Sequence, residues 1–85
     1  MKMYEEMYLR ELFEELLAEI NRAVSKNGPM NSRHEGYAVM LEEFDELWDE
    51  IKLKNPNPEN LREEAIQIAA MAVRFIHDIV DERSS

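Results

Sequence analysis

The chain has 85 residues, no cysteine and a formal net charge of −9. That length allows one small domain with a limited core. It excludes a disulfide framework and a zinc–thiolate centre, and so acidic a surface disfavours duplex nucleic acid, whose phosphates call for Lys and Arg. No apolar run is long enough to cross a bilayer, and the first residues, Met1 to Glu6, are acidic rather than a basic signal peptide. The expectation is a single soluble, cytoplasmic domain over residues 1–85, bound to neither nucleic acid nor membrane.

Residues 3–26 read as a first helix. Leu9, Leu12, Phe13, Leu16, Leu17, Ile20 and Val24 recur at helical spacing, with Glu5, Glu6, Glu11, Glu14, Glu15 and Glu19 around them as a solvated face. The helix should stop at Asn27-Gly28-Pro29, where Gly28 suits a left-handed C-terminal cap and Pro29 cannot continue the ladder.

Ser32-Arg33-His34-Glu35 is a capping-box pattern that opens a second helix over 33–54. Its apolar stripe is Tyr37, Met40, Leu41, Phe44, Leu47, Trp48 and Ile51, expected in the core. Glu43, Glu46 and Glu50 follow at steps of three and four, so they stack beside that stripe. Arg33 and His34 oppose the dipole in the first turn. They are either plain exposed residues or arms for a phosphate or base. Lys52 and Lys54 suit the C-terminal end of the helix.

Asn55-Pro56-Asn57-Pro58 is a turn, with Asn57 as N-cap and Pro58 at the first position of a third helix over 58–82. This helix is apolar on nearly all sides, from Leu61 through Ala69 and Ala70 to Ile79 and Val80. Such a helix needs cover on more than one face. The fold class is therefore all-α, three main helices, self-associating into a four-helix-bundle-like core as a homodimer or larger homo-oligomer. His77 is expected to be exposed near the C-terminal end, and residues 81–85 to fray.

Glu64, Gln67, Met71 and Arg74 share one strip of the third helix, where Glu43, Glu46 and Glu50 of the antiparallel neighbour can face them. Oxygen ligands of this kind suit Mg²⁺, with Mn²⁺ possible, shared with substrate phosphates. A spare carboxylate can take a proton. From the residues alone, a solvated acidic surface remains the other reading.

Leu41-Glu42-Glu43-Phe44-Asp45-Glu46-Leu47 resembles the EExxE helix of the all-α nucleoside triphosphate pyrophosphohydrolases, the MazG-like group. The stretch from His34 to Glu50 and the segment Arg62 to Ala72 extend the resemblance to short phage and prokaryotic members, over about residues 32–82. It implies a helical dimer or tetramer that hydrolyses nucleoside triphosphates to monophosphate and pyrophosphate with Mg²⁺. It also implies Glu43 and Glu46 as catalytic residues and metal ligands, joined by Glu64 and Gln67. Glu64 matches the Glu of the family's ExxD, but its Asp falls on Gln67, whose neutral amide can ligate Mg²⁺ and cannot act as a base. Asp49, Glu50 and Asp78 are the candidates for a partial rescue. Arg74, Trp48 and His34 are the candidate substrate contacts, with a core role for Trp48 and an ion pair to Asp78 for Arg74 as plainer alternatives. A non-catalytic helical oligomer, binding a nucleotide or a protein partner without turnover, is the alternative that Gln67 supports.

Overall fold

A computed structural model describes residues 3–83. The described residues form α1 (Glu6–Asn27), α2 (Arg33–Ile51) and α3 (Pro58–Phe75), and α3 continues into a π-helical turn, Ile76–Val80. There are no strands among them. No helix among the described residues is long and apolar enough to cross a membrane. The expected fraying covers residues 81–83 and also Ser84 and Ser85, which lie outside the described residues.

The caps fall where local chemistry puts them. Ser32 Oγ accepts from the Glu35 N–H at 3.0 Å, and Asn57 Oδ1 accepts from the Glu59 N–H at 2.9 Å with Pro58 at the first position. Each satisfies an N–H that a helix start otherwise leaves unpaired. Gly28 closes α1 with φ 70° and ψ −172°, and its N–H donates to the Val24 carbonyl at 2.8 Å. That pair of angles lies outside the left-handed helical region expected for the cap and is essentially open to glycine alone.

Several ends differ from expectation: the first helix starts at Glu6 rather than residue 3, and two others differ for reasons visible in the structure. The second helix stops at Ile51 rather than Lys54, because the Glu50 carboxylate accepts from the Asn57 N–H at 2.9 Å and turns the chain early. Pro56 also disfavours helical angles at Asn55. The third helix widens after Phe75, where Asp81 N–H donates five residues back to the Ile76 carbonyl at 2.8 Å. The widened segment carries Asp78, whose nearly buried carboxylate accepts from the Met30 N–H at 2.8 Å.

The helices form one layer. α3 is central, α1 and α2 flank it, and the flanking pair make almost no contact with each other. The buried hydrophobic residues are Ala23, Met30, Ala70 and Met71, with Leu16, Ile20, Val39, Met40, Phe75 and Ile79 packed against them. This corrects the expected core. Of the α2 stripe only Met40 and Leu47 turn inward, while Tyr37, Leu41, Phe44, Trp48 and Ile51 stay exposed. On α3 the inward residues are Ala70, Met71 and Arg74, and Val73, Ile76 and Val80 face out.

Gly36 sets how closely α2 approaches α3. A Cβ there would lie 2.5 Å from Phe75 Cδ2, 2.9 Å from Cε2 and 3.3 Å from Met30 Sδ. Gly36→Ala is expected to lower stability by about 1–3 kcal/mol through overpacking, despite alanine's better helix propensity. Urea unfolding checks this; an unchanged or raised midpoint would contradict the close approach.

Candidate metal centre

The α2 register points Gly36, Met40 and Leu47 at α3 and turns Glu43 and Glu46 towards one edge of that contact. From α3, Glu64 reaches the same edge. The three side chains offer carboxylate oxygens that all lie within 4.8 Å of one another, the only such group of potential ligands among the described residues. Glu43 and Glu64 are half-buried, Glu46 is exposed. One oxygen of each half-buried residue, Glu43 Oε2 and Glu64 Oε2, is shielded from solvent and accepts no hydrogen bond.

Electrostatics follow from that geometry. Burial, then the charge of Glu46 and a hydrogen bond with it, push the Glu43 carboxyl up to about 7. Burial and Glu46 also raise Glu64. Ionised carboxylates at this separation repel by ~3 kcal/mol per pair at an effective dielectric near 20. The group therefore holds a proton near neutral pH or takes a cation. Shielded oxygens without a donor, on hard carboxylate ligands, fit Mg²⁺ or Mn²⁺. Compared with models of protein families, with curated proteins and with solved structures, the chain matches none significantly.

Glu43, Glu46 and Gln67 line a groove of about 380 Å³ floored by Met71, and its far wall is α1, with Glu19, Arg22 and Lys26. A second groove of about 560 Å³ between α1 and α3 shares Glu19, Arg22 and Gln67 with the first and runs on to Arg62. The two form one continuous trough. Arg22 and Lys26 bring positive charge opposite the carboxylates, and Arg22 acts electrostatically on Glu43 and Glu63. Arg22 is also held by Glu19 through two bonds of 2.9 and 2.6 Å. These α1 residues escaped the sequence reading, which found no motif there. The available signal was that Glu15, Glu19, Arg22 and Lys26 share one helical face. The α1 acidic run is exposed apart from the half-buried Glu19, and on that surface Glu15 bonds Arg62 of α3 at 2.6 and 2.5 Å.

The three expected substrate contacts do not reach this groove. Arg74 is 4% exposed, and its Nη2 donates to the Gly28 carbonyl at 2.6 Å and its Nη1 to Met71 Sδ at 3.4 Å. It fastens the α1–α2 loop from inside, and its expected partner Asp78 accepts from Met30 in the same loop. Trp48 lies on the α2 face turned away from the carboxylates, exposed and 5.8 Å from Lys52 Nζ. It is neither core in this chain nor a groove residue. His34 sits in the first turn of α2, roughly 13 Å along the axis from Glu43. The suggested replacements for the missing aspartate are engaged elsewhere: Glu50 with Asn57, Asp78 with Met30, and Asp49 with Lys52 at 3.2 Å.

Proposed function

We propose that the chain is a Mg²⁺-dependent nucleotide pyrophosphohydrolase of the all-α, MazG-like kind, working on nucleoside triphosphates as a cytoplasmic homodimer or homotetramer. The observation that carries this reading is the meeting of Glu43, Glu46 and Glu64 from two helices, with two shielded oxygens left unpartnered. Glu43, Glu46 and Glu64 hold the cation, and Gln67, on the same groove, adds a neutral amide oxygen. When bound, Mg²⁺ supplies charge neutralisation for phosphate oxygens and acidifies water.

The remaining work falls to the chain itself. Arg22 and Lys26, on the opposite wall, draw the triphosphate into the trough and hold it against the carboxylate edge. A carboxylate oxygen of Glu43 or Glu46 that is not engaged with the cation would take a proton from the attacking water. Water adds to the α-phosphorus, the bond from that phosphorus to the bridging oxygen breaks, and monophosphate and pyrophosphate leave.

A second reading, nucleotide binding without turnover, draws on Gln67, a neutral side chain on the groove where the resemblance would place a carboxylate. A panel of ribo- and deoxyribonucleoside triphosphates with and without Mg²⁺ separates the two. Mg²⁺-dependent release of monophosphate with pyrophosphate is the expected result. Tight Mg²⁺-nucleotide binding with no product would favour the second reading, and neither binding nor product would sink both.

A further inference from the structure

Helices at 100° per residue can be oriented by the residues they turn towards α3 and the trough. On α2, the carboxylates mark the trough side. Tyr37, Leu41, Phe44, Trp48 and Ile51 form a straight ridge on the other side, spaced 4-3-4-3 and each 43–64% exposed. On α1, Phe13, Leu17 and Val24 lie opposite Glu15, Glu19 and Arg22, which line the trough. On α3, Ala65, Ala72 and Ile76 lie opposite Glu63 and Gln67. The layer thus has a charged front and an apolar back. A groove of about 320 Å³ lined mainly by apolar residues, among them Tyr8, Phe13, Leu16, Ala65 and Ala69, with Arg62 its one charged residue, continues that back between α1 and α3.

A lone layer with a bare apolar face is not a finished domain, because stable architectures bury such faces between two layers. The dimensions agree. The chain exposes 6838 Å², against ~5,300 Å² for a compact monomer of 10.1 kDa. Its radius of gyration is 14.3 Å, against ~12 Å for a compact chain of this length. The excess surface, counted on two chains, comes to ~3,000 Å², inside the range that obligate homodimers bury.

The ridge also indicates the occupant. Its spacing is that of a coiled-coil seam, which is self-complementary across a two-fold axis. It contains no charged residue, so two chains of net charge −9 meet there with the least repulsion. We propose that the apolar back is a homodimer interface, closed by the same face of a second copy, with the α2 ridge at its centre and the two acidic troughs on opposite outer faces. This rests on the self-association in the reading above and is independent of its chemistry.

Trp48 is the chain's single tryptophan and stands in the ridge, so it reports the contact directly. Light scattering at micromolar concentration is expected to give at least twice the chain mass, with Trp48 emission blue-shifted and protected from acrylamide until dilution dissociates the pair. The double variant Leu41→Glu, Phe44→Glu, with helicity checked by circular dichroism, is expected to be monomeric with Trp48 open to quencher. A monomeric wild type overturns both this interface and self-association. An oligomeric wild type whose Trp48 is freely quenched, or a folded double variant that stays dimeric, overturns this interface alone. If the double variant loses its helicity, the wild-type quenching and dilution series decide.

Discussion

Glu43→Gln is expected to abolish the Mg²⁺ response and to make the metal-free protein more stable at alkaline pH. In the folded chain the Glu43 carboxyl is raised from its ordinary value of 4.5 to about 7. Between those values the folded state keeps a proton that the unfolded chain has released. Stability therefore falls as pH rises through that window and levels off above it. Glutamine removes this penalty, so the variant should gain on the order of 1 kcal/mol at pH 8, discounted for partial solvent access, and nothing at pH 4. Mg²⁺ competes with the same proton. The wild-type rise in melting temperature with Mg²⁺ should accordingly be larger at pH 8 than at pH 6 and absent from the variant. If the proposed reaction runs here, pyrophosphate release should fall by about 10²-fold or more, the usual scale for losing a positioned proton acceptor. Melting curves at the two pH values, with and without Mg²⁺, check the linkage. A variant that keeps the full Mg²⁺ shift would remove Glu43 from the ligand set, whatever happened to activity.

Arg74→Ala is expected to be the most destabilising single change in the chain. It empties a buried volume beside Met71 and leaves the Gly28 carbonyl without its 2.6 Å donor. Losses of this kind cost about 2–4 kcal/mol, against a total near 4–13 kcal/mol for a domain of this length. The melting temperature should drop by about 10–25 °C. Arg74→Met, which keeps most of the volume and loses only the bond, should cost less than half as much. The pair also tests the role that the resemblance would allow for Arg74. A phosphate contact would make Arg74→Met weaken nucleotide binding at a temperature where the variant is folded, whereas a loop fastener leaves it unchanged. Titrating Mg²⁺-nucleotide into the folded Met variant distinguishes the two.

How far the site was legible depended on the distance over which each residue acts. Glu43 and Glu46 stand three apart on one helix, so their shared edge follows from helical geometry. Glu64 followed from the short Asn55–Asn57 turn, which leaves α2 and α3 little choice but to pair antiparallel. Glu50 obeys the same spacing and still leaves the cluster, because the turn's unpaired Asn57 N–H claims its carboxylate. Arg74 reads as a polar interruption at the edge of a strip, yet a carbonyl 46 residues away pulls it inside. Trp48 and His34 carry chemistry suited to bases and phosphates, but helical phase puts one on the far face of α2 and axial distance removes the other.

The sequence by itself determined the three helices, the caps at Ser32 and Asn57, the glycine stop at Gly28 and the acidic edge of α2, because each is encoded within a turn or two of chain. It also showed that the helices carry more apolar surface than three of them can cover. Only the tertiary structure decided which half of each wide stripe turns inward. That choice is made by close approach at Gly36, by Arg74 and Asp78 fastening the 28–30 loop, and by Glu15 gripping Arg62. These are contacts between residues 39 to 48 positions apart in the chain. Periodicity along one helix fixes a direction around its own axis and carries no information about which neighbour lies in that direction.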